Sequence, residues 1–465
     1  MGKLTENRDG IGVAVMGYGI VGKGVAHAIR VNAGLIEKRT GVVLRLKHIL
    51  DILDFPESPD AALLTHDVSD IMRDEGVRVI VETMGGVNKA FEYTKEALAS
   101  GKHVVTSNKE LVAEYGPELL ALAESRGVCY RFDASVGGGI PAIDPIGEYL
   151  AANKINEIRA ILNGTTNFML THMRVQGAHF DDTLRLAQNN GFAEKNPEAD
   201  IEGADACRKL AILSSIAWDA FLDWKTIHTE GIANVTLEDI IRASGLGRSL
   251  KLIARARRRE DGRLEAYVLP AMINKRSPLA NVEGVNNAII INGDLAGDIM
   301  LYGQGAGMFP TGSAIVSDII KIFKDTKTLY GDSQSQVNSN RAGGFAPSVK
   351  INPCWNRAAP LVTADFSTYE HGFYARIGTP APNVYSDILF REFPDARILP
   401  VLDSTPNGAA AYRDNANGID KVMLAFTLPP LTEGEFTARL ARVNERVADS
   451  ATCFVARLLD HNELF

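Results

Sequence analysis

Cysteine is scarce in this 465-residue chain: Cys129, Cys207, Cys354 and Cys453 are far apart, without a CxxC or Cys/His ligand spacing. Neither a zinc site nor a disulfide framework is suggested, and the thiols read as reduced. No apolar run reaches the roughly 18 residues that would span a membrane, and the polar start MGKLTENRDG lacks the apolar stretch of a secretory signal. A long basic block is also missing, and the net charge of -8 argues against a general nucleic-acid binder. The expectation is a soluble, cytoplasmic protein with neither a membrane nor a nucleic acid as partner. What is plentiful is globular material, 46% hydrophobic against 23% charged, over a length that predicts two or three domains.

Residues 11–16, IGVAVM, form a short apolar run that meets glycines at 17, 19 and 22, and Val25 to Ile36 then show helical spacing. Further β-like runs at Val42–Leu53, Val77–Val81, His103–Thr106 and Gly127–Phe132 alternate with helical stretches. That alternation predicts an α/β domain, a doubly wound parallel sheet of Rossmann type over residues 1–145. The glycine-rich loop Ser135–Pro141, SVGGGIP, marks its end. Residues 146–304 mix β-like runs with helices around 180–191 and 203–220, which predicts an α+β substrate domain. The polar, breaker-rich stretch 331–348 reads as a linker or exposed loop. Over 349–465 the order βαββαβ, from FYARIG to TCFVARLL, predicts a ferredoxin-like unit.

Gly17-Tyr18-Gly19-Ile20-Val21-Gly22 fits GxGxxG directly between a strand and a helix, the context in which such a turn holds a dinucleotide pyrophosphate. The helix N-terminus then offers amides and a positive dipole end. Lys109, in TSNKE at a strand end, lies where ligands of doubly wound sheets bind; it holds a substrate carbonyl or carboxylate, or is a solvated lysine opening the next helix. Glu194, Glu198, Asp200, Glu202 and Asp205 form an acidic loop entering a helix, and Lys209 follows Asp205 by four residues. This is a surface ion pair, or a coupled lysine that moves a proton at a carbonyl while the acidic loop holds a substrate ammonium. Asp133 and the glycines after it cage a cation or form a hinge. Thr165, Thr166 and Asn167 offer hydrogen-bonding groups at a strand-to-helix junction, where capping is the plainer explanation.

Seven blocks in order, GYGIVGKGV, VETMGG, TSNKELVA, FDASVGGGIP, LNGTTNF, AQNNGFAEKNPEADIEGADACRKLAIL and YGQGAGMFPTGSAIVSDI, resemble the successive signatures of homoserine dehydrogenases over about residues 11–325. The resemblance implies reversible NAD(P)H-dependent reduction of L-aspartate 4-semialdehyde to L-homoserine in aspartate-family amino-acid biosynthesis, by a homodimer or homotetramer. It also implies that the second domain binds substrate and makes the dimer, and that a helix over 305–330 returns to the nucleotide domain. Lys209 and Lys109 then form the catalytic pair with Asp205, while Glu194, Asp200, Thr165 and Asn163 bind substrate. The glycine turn, Asp51, Thr83, Gly85 and Gly305 bind the cofactor, and Asp133, Val136, Gly138 and Ile140 hold a sodium ion, mostly through main-chain oxygens.

Three departures from the family pattern stand out. Asn196 replaces the usual aspartate of Glu-x-Asp-Pro, Asp133 stands where glutamate is common, and GTPAPNVYSDI at 378–388 lacks the Asp-x-x-Gly-Val-Leu turn of an ACT module. A relative acting on another carbonyl acid, or a non-catalytic amino-acid sensor, is the rival reading; two retained lysines disfavour the sensor. NAD is expected over NADP, because Asp51 ends the second strand and Leu50 stands where NADP-using relatives tend to carry arginine, although Arg45 and Lys47 share the strand.

Overall fold

The computed structural model describes residues 10–330, 355, 359–400, 411–414, 419–447 and 449–459. The expected linker at 331–348 and Cys354 lie outside the described residues. Two compact units emerge, Met1–Lys154 with Ala211–Trp224 and Leu301–Leu361, and Ile155–Leu210 with Lys225–Met300 and Val362–Phe465.

The first unit holds a six-stranded sheet: β1 (Ile11–Met16), β2 (Leu44–Leu50), β3 (Leu64–Thr65), β4 (Val77–Glu82), β5 (His103–Thr106) and β6 (Tyr130–Arg131). Every ladder is parallel and the order is β3-β2-β1-β4-β5-β6, so the winding reverses between β1 and β4. That switch point, at the carboxyl ends of the strands, is where such sheets bind ligands. The connections are α1 (Ile20–Thr40), α2 (Val68–Arg73), α3 (Asn88–Ala99) and α4 (Lys109–Arg126). Helix α1 outruns the apolar spacing of 25–36 at both ends and stops at Gly41, whose left-handed conformation (φ 68°) ends it. SVGGGIP is not an open loop throughout, because Ala134–Gly137 close a helical turn, α5. Val13 and Val15 of β1 pack with Val25 and Ile29 of α1 in one core. Ile315, Val316, Ile319 and Ile322, from the helix Met308–Tyr330 (α11 in chain order), join that core.

In the second unit the strands are β7 (Ile155–Ile161), β8 (His228–Thr229), β9 (Arg248–Arg258), β10 (Leu264–Asn274), β11 (Asn286–Gly293), the first half of β12 (Gly297–Gln304, whose part from Leu301 on is counted with the first unit), β13 (Glu370–Thr379), β14 (Arg397–Ile398), β15 (Ala411–Asp414), β16 (Ile419–Thr432) and β17 (Ala451–Leu459). The helices are α6 (Gly164–Gln176), α7 (Phe180–Asn189), α8 (Glu198–Ile201), the first half of α9 (Ala204–Ala217, whose part from Ala211 on is counted with the first unit), α10 (Leu237–Gly245), α12 (Pro382–Glu392) and α13 (Glu433–Arg446). The sheet order is β12-β11-β7-β9-β10-β17-β13-β16-β14. Among its last four strands each neighbouring pair is antiparallel and the order runs fourth, first, third, second, which is the ferredoxin-like arrangement. This subdomain does not stand apart. Its β17 pairs in parallel with β10, from Ala271↔Arg457 to Ile273↔Leu459, so both parts of the unit share one sheet. Asp239 of α10 reinforces the join by accepting from Tyr374 Oη (2.7 Å) and Arg376 Nε (2.9 Å).

Candidate active site

The cofactor turn is built by local geometry. At Gly17 (φ +96°) a Cβ would stand 2.7 Å from the Thr83 carbonyl oxygen, and at Gly22 it would overlap the Gly17 carbonyl, so both positions demand glycine. Gly19 instead faces open space, and no side chain caps the first amides of α1 there. An anion of pyrophosphate size finds room, amides and a positive helix end together. Asp51 accepts from the Tyr18 amide (2.6 Å) and the Leu53 amide (3.0 Å), which turns its carboxylate toward the glycine turn. Thr83 Oγ1 donates to the Gly17 carbonyl (2.8 Å), tying the end of β4 to the same turn. Gly85 and Gly86 beyond it are open. These residues fit a dinucleotide.

The second cluster sits where β7 runs into α6 and α9 begins. Lys209 Nζ lies 2.8 Å from Asp205 Oδ2, one helical turn earlier, and donates to the Leu162 carbonyl at 2.8 Å. Asn163 Nδ2 donates to Asp205 (2.9 Å) and to Asp200 (2.7 Å), while its Oδ1 accepts from the Thr166 amide (2.8 Å) and so caps α6. Thr165 Oγ1 donates to the Phe192 carbonyl (2.6 Å), holding the loop before α8. A buried ion pair is costly in isolation; here the Asn163 side-chain amide and the Leu162 carbonyl hold the two side chains at a fixed place. A fixed ammonium beside a carboxylate can donate a proton to a carbonyl oxygen and recover it.

Residues 17–133 match the family described as homoserine dehydrogenase, NAD binding domain, and residues 141–320 match the homoserine dehydrogenase family itself. The homoserine dehydrogenase of Neisseria gonorrhoeae is 41% identical over 370 residues, 79% of this chain and 81% of that protein. The Pseudomonas aeruginosa enzyme is 41% identical over 326 residues, 70% and 74% of the two chains. A solved homoserine dehydrogenase from Thiobacillus denitrificans, 34% identical, superposes with a TM-score of 0.79 over 97% of this chain and 98% of that one. The chain belongs to the homoserine dehydrogenase family. Its reaction is the homoserine dehydrogenase reaction, NAD(P)-dependent oxidoreduction at a CH–OH group between L-homoserine and L-aspartate 4-semialdehyde. A hyperthermophilic archaeal homoserine dehydrogenase solved in complex with NADPH also superposes, with a TM-score of 0.56 at 27% identity over 68% of this chain and 98% of that one.

Of the site residues that the homoserine dehydrogenase resemblance implies, Lys209, Asp205, Asn163 and Asp200 form one hydrogen-bonded network. Glu194 is exposed in the loop after α7 and stands outside it; Asn196 there accepts from the Glu198 amide (3.3 Å) and shapes the turn. Lys109 is the first residue of α4, at the carboxyl end of β5, where the positive end of the helix dipole opposes its charge. Tyr18 contributes its amide to the cofactor turn, since its ring is buried and its hydroxyl donates to Asp60 (2.7 Å). Ile20 and Val21 open α1.

One expectation is corrected. Leu50 is only 8% exposed, so its side chain belongs to the core and is no selector of the ribose phosphate. Lys47 is taken by Asp74 at 2.7 Å, and Arg45 pairs with Gly12 near the start of the strand, roughly 17 Å from Leu50 at ~3.3 Å per residue. The exposed position beside Asp51 is Ile52.

In the loop expected to hold sodium, Asp133 Oδ1 accepts from the amides of Ala142 (3.1 Å) and Ile143 (2.7 Å). Burial and the neighbouring Asp318 charge push that carboxyl up to about 7. A Cβ at Gly138 (φ +57°) would overlap the Gly305 carbonyl, so these two backbone segments meet with no side chain between them. Such a cradle suits main-chain ligation more than a carboxylate ligand. Among the described residues, no group of three or more His, Cys, Asp or Glu is placed to hold a metal.

Two buried polar residues escaped the sequence reading. Asn287 Nδ2 donates to the Leu162 carbonyl (2.9 Å), the oxygen that also receives Lys209. Glu82 lies fully buried at the end of β4. Nothing in VETMGG or VNNAII marks either as more than a strand residue.

Proposed function

We propose that Lys209 delivers a proton to the aldehyde oxygen of aspartate semialdehyde during reduction and takes it from the hydroxyl of homoserine in the reverse direction. The observation that carries this is its anchoring: two of its three ammonium hydrogens point to Asp205 and the Leu162 carbonyl, leaving a third for a substrate oxygen. Asp205 keeps the ammonium oriented. Lys109 supplies a second positive charge at the carbonyl, and Asp200, Asn163, Thr165 and Glu194 bind the amino-acid part of the substrate. When bound, the dinucleotide supplies or accepts the hydride at the carbon.

NAD is the preferred cofactor in this reading, because Asp51 faces the glycine turn and would repel a 2′-phosphate, with no cation at Ile52 to offset it. NADP is the alternative, as in the NADPH complex of the archaeal relative. A sodium ion is assigned to main-chain oxygens of Asp133, Val136, Gly138 and Ile140, where it would brace the turn against Gly305. In this reading the enzyme works in the cytoplasm as a homodimer or homotetramer. Spectrophotometry at 340 nm with L-homoserine and each dinucleotide tests the reading. Faster turnover with NAD is expected, and equal rates with both would remove Asp51 as the selector.

A further inference from the structure

The carboxylate of Glu82 is wholly buried where the sheet winding reverses, its backbone paired with Met16 of β1 on one side and Thr106 of β5 on the other. An unheld carboxylate in such a place is strongly disfavoured. Here the Met84 amide donates to Oε1 (2.8 Å) and the Thr106 hydroxyl donates to Oε2 (2.5 Å). Thr106 Oγ1 in turn accepts from the Asn108 amide (2.9 Å), and Asn108 Nδ2 donates to the Gly86 carbonyl (2.8 Å). These bonds close a ring from Glu82 through Thr106, Asn108 and Gly86, back along the turn to Met84. One side of the ring is the turn 83–86, bonded through Thr83 to the cofactor turn at Gly17. The other is the start of α4, where Asn108 Oδ1 accepts from the Leu111 amide (3.1 Å) and Lys109 follows directly.

We infer that Glu82 is a positioning residue for the reaction: its carboxylate clamps the turn 83–86 to the start of α4 and thereby sets where Lys109 is presented to the substrate carbonyl. The inference rests on the role given to Lys109 above.

In the ionised form both oxygens accept; a proton on Oε1 would break the bond from the Met84 amide, and one on Oε2 would reverse the Thr106 bond into a weaker neutral one, so the clamp is tightest when Glu82 is ionised. Burial pushes the Glu82 carboxyl up to about 7 against the bonds from Thr106, Met84 and Asn108. The titratable group facing it is Tyr130 of β6, itself pushed up by burial and by the Glu82 charge. Met16 of β1 and Thr106 of β5 bring no charge to it. The clamp therefore tightens as pH rises through about 7.

The test compares the full-length wild type, Glu82→Gln and Thr106→Val, reading kcat, kcat/KM for homoserine and NADH affinity from about pH 5.5 to 9. Wild type is expected to show a limb in kcat/KM that rises through about pH 7. Glu82→Gln should lose this limb and fall about tenfold or more at pH 8, with NADH affinity little changed. Thr106→Val, which removes one donor to the carboxylate, should keep the limb and move it to higher pH; it also answers the case in which Glu82→Gln folds poorly. An unmoved limb in both variants overturns the clamp. Lys109→Ala separates the two readings. Wild-type turnover there removes the role of Lys109 and the clamp with it, whereas lost turnover beside an unmoved Glu82→Gln profile removes the clamp alone.

Discussion

Lys209 and Asp205 face each other across one turn of α9 at 2.8 Å, both side chains more than nine-tenths buried. An ion pair so placed is held by geometry and not by solvent, and either partner removed leaves the other charge stranded. Lys209→Ala is expected to lower kcat by about 10²- to 10⁴-fold, the usual worth of a positioned acid or base, while NADH affinity stays nearly intact. Asp205→Asn should slow turnover less, since Leu162 still holds the lysine. Stopped-flow turnover and NADH titration, measured separately, decide it; turnover near wild type in Lys209→Ala would remove its role.

The glycine turn separates binding from folding. At Gly19 an added Cβ meets nothing within 4 Å, whereas at Gly22 it would overlap the Gly17 carbonyl. Gly19→Ala should keep the melting temperature and weaken dinucleotide binding, because the methyl occupies space meant for the pyrophosphate. Gly22→Ala should instead cost about 1–3 kcal/mol of stability. Calorimetry beside a cofactor titration reads both, and equal melting behaviour of the two variants would contradict the assignment.

Cofactor choice is expected to respond at Ile52 and not at Leu50. Ile52 is 93% exposed next to Asp51, so Ile52→Arg can reach a 2′-phosphate and should raise the NADP/NAD efficiency ratio roughly tenfold, about 1.4 kcal/mol. Leu50→Arg would bury an unpaired guanidinium and should lose about 3–5 kcal/mol of stability. Ratios of kcat/KM and thermal melts distinguish these; an unchanged ratio in Ile52→Arg places the selector elsewhere.

Acid should loosen the join between the ferredoxin-like subdomain and the rest of its unit. Arg457 lies between Glu230 and Glu433, with Nη2 at 2.6 Å from Glu230 Oε1 and Nε at 2.9 Å from Glu433 Oε1. Burial pushes the Glu230 carboxyl up, but the bonds from His228 and Arg457 outweigh it and pull it down to about 2. A depressed carboxyl stabilises the fold above its unfolded value near 4.5 and loses that contribution as pH falls toward 2. Glu230→Gln should therefore be less stable than wild type at pH 7 by on the order of 1–3 kcal/mol, with the gap closing at about pH 2–3. A gap that stays constant with pH would mean that Glu230 contributes through packing.

The sequence by itself determined what repeats over a few residues. GxGxxG between a strand and a helix, the four-residue step from Asp205 to Lys209, and the βαββαβ order at the C-terminal end are local patterns, and local backbone geometry turns them directly into a turn, a helix face and a subdomain order. What only the tertiary structure decided depends on partners distant in the chain. Asn163 reaches Asp200 and Asp205 because the fold brings the start of α6 within hydrogen-bonding distance of α8 and the first turn of α9, a choice no spacing encodes. Leu50 alternates into the core because its sheet is covered on both faces. The same holds for β17, which joined β10 and merged two expected domains into one sheet, and for Glu82, whose neighbours Thr106 and Asn108 come from the adjacent strand and the helix that follows it. In each case a buried polar or apolar group settled on the partner that packing brought within reach, and burial is a property of the assembled fold.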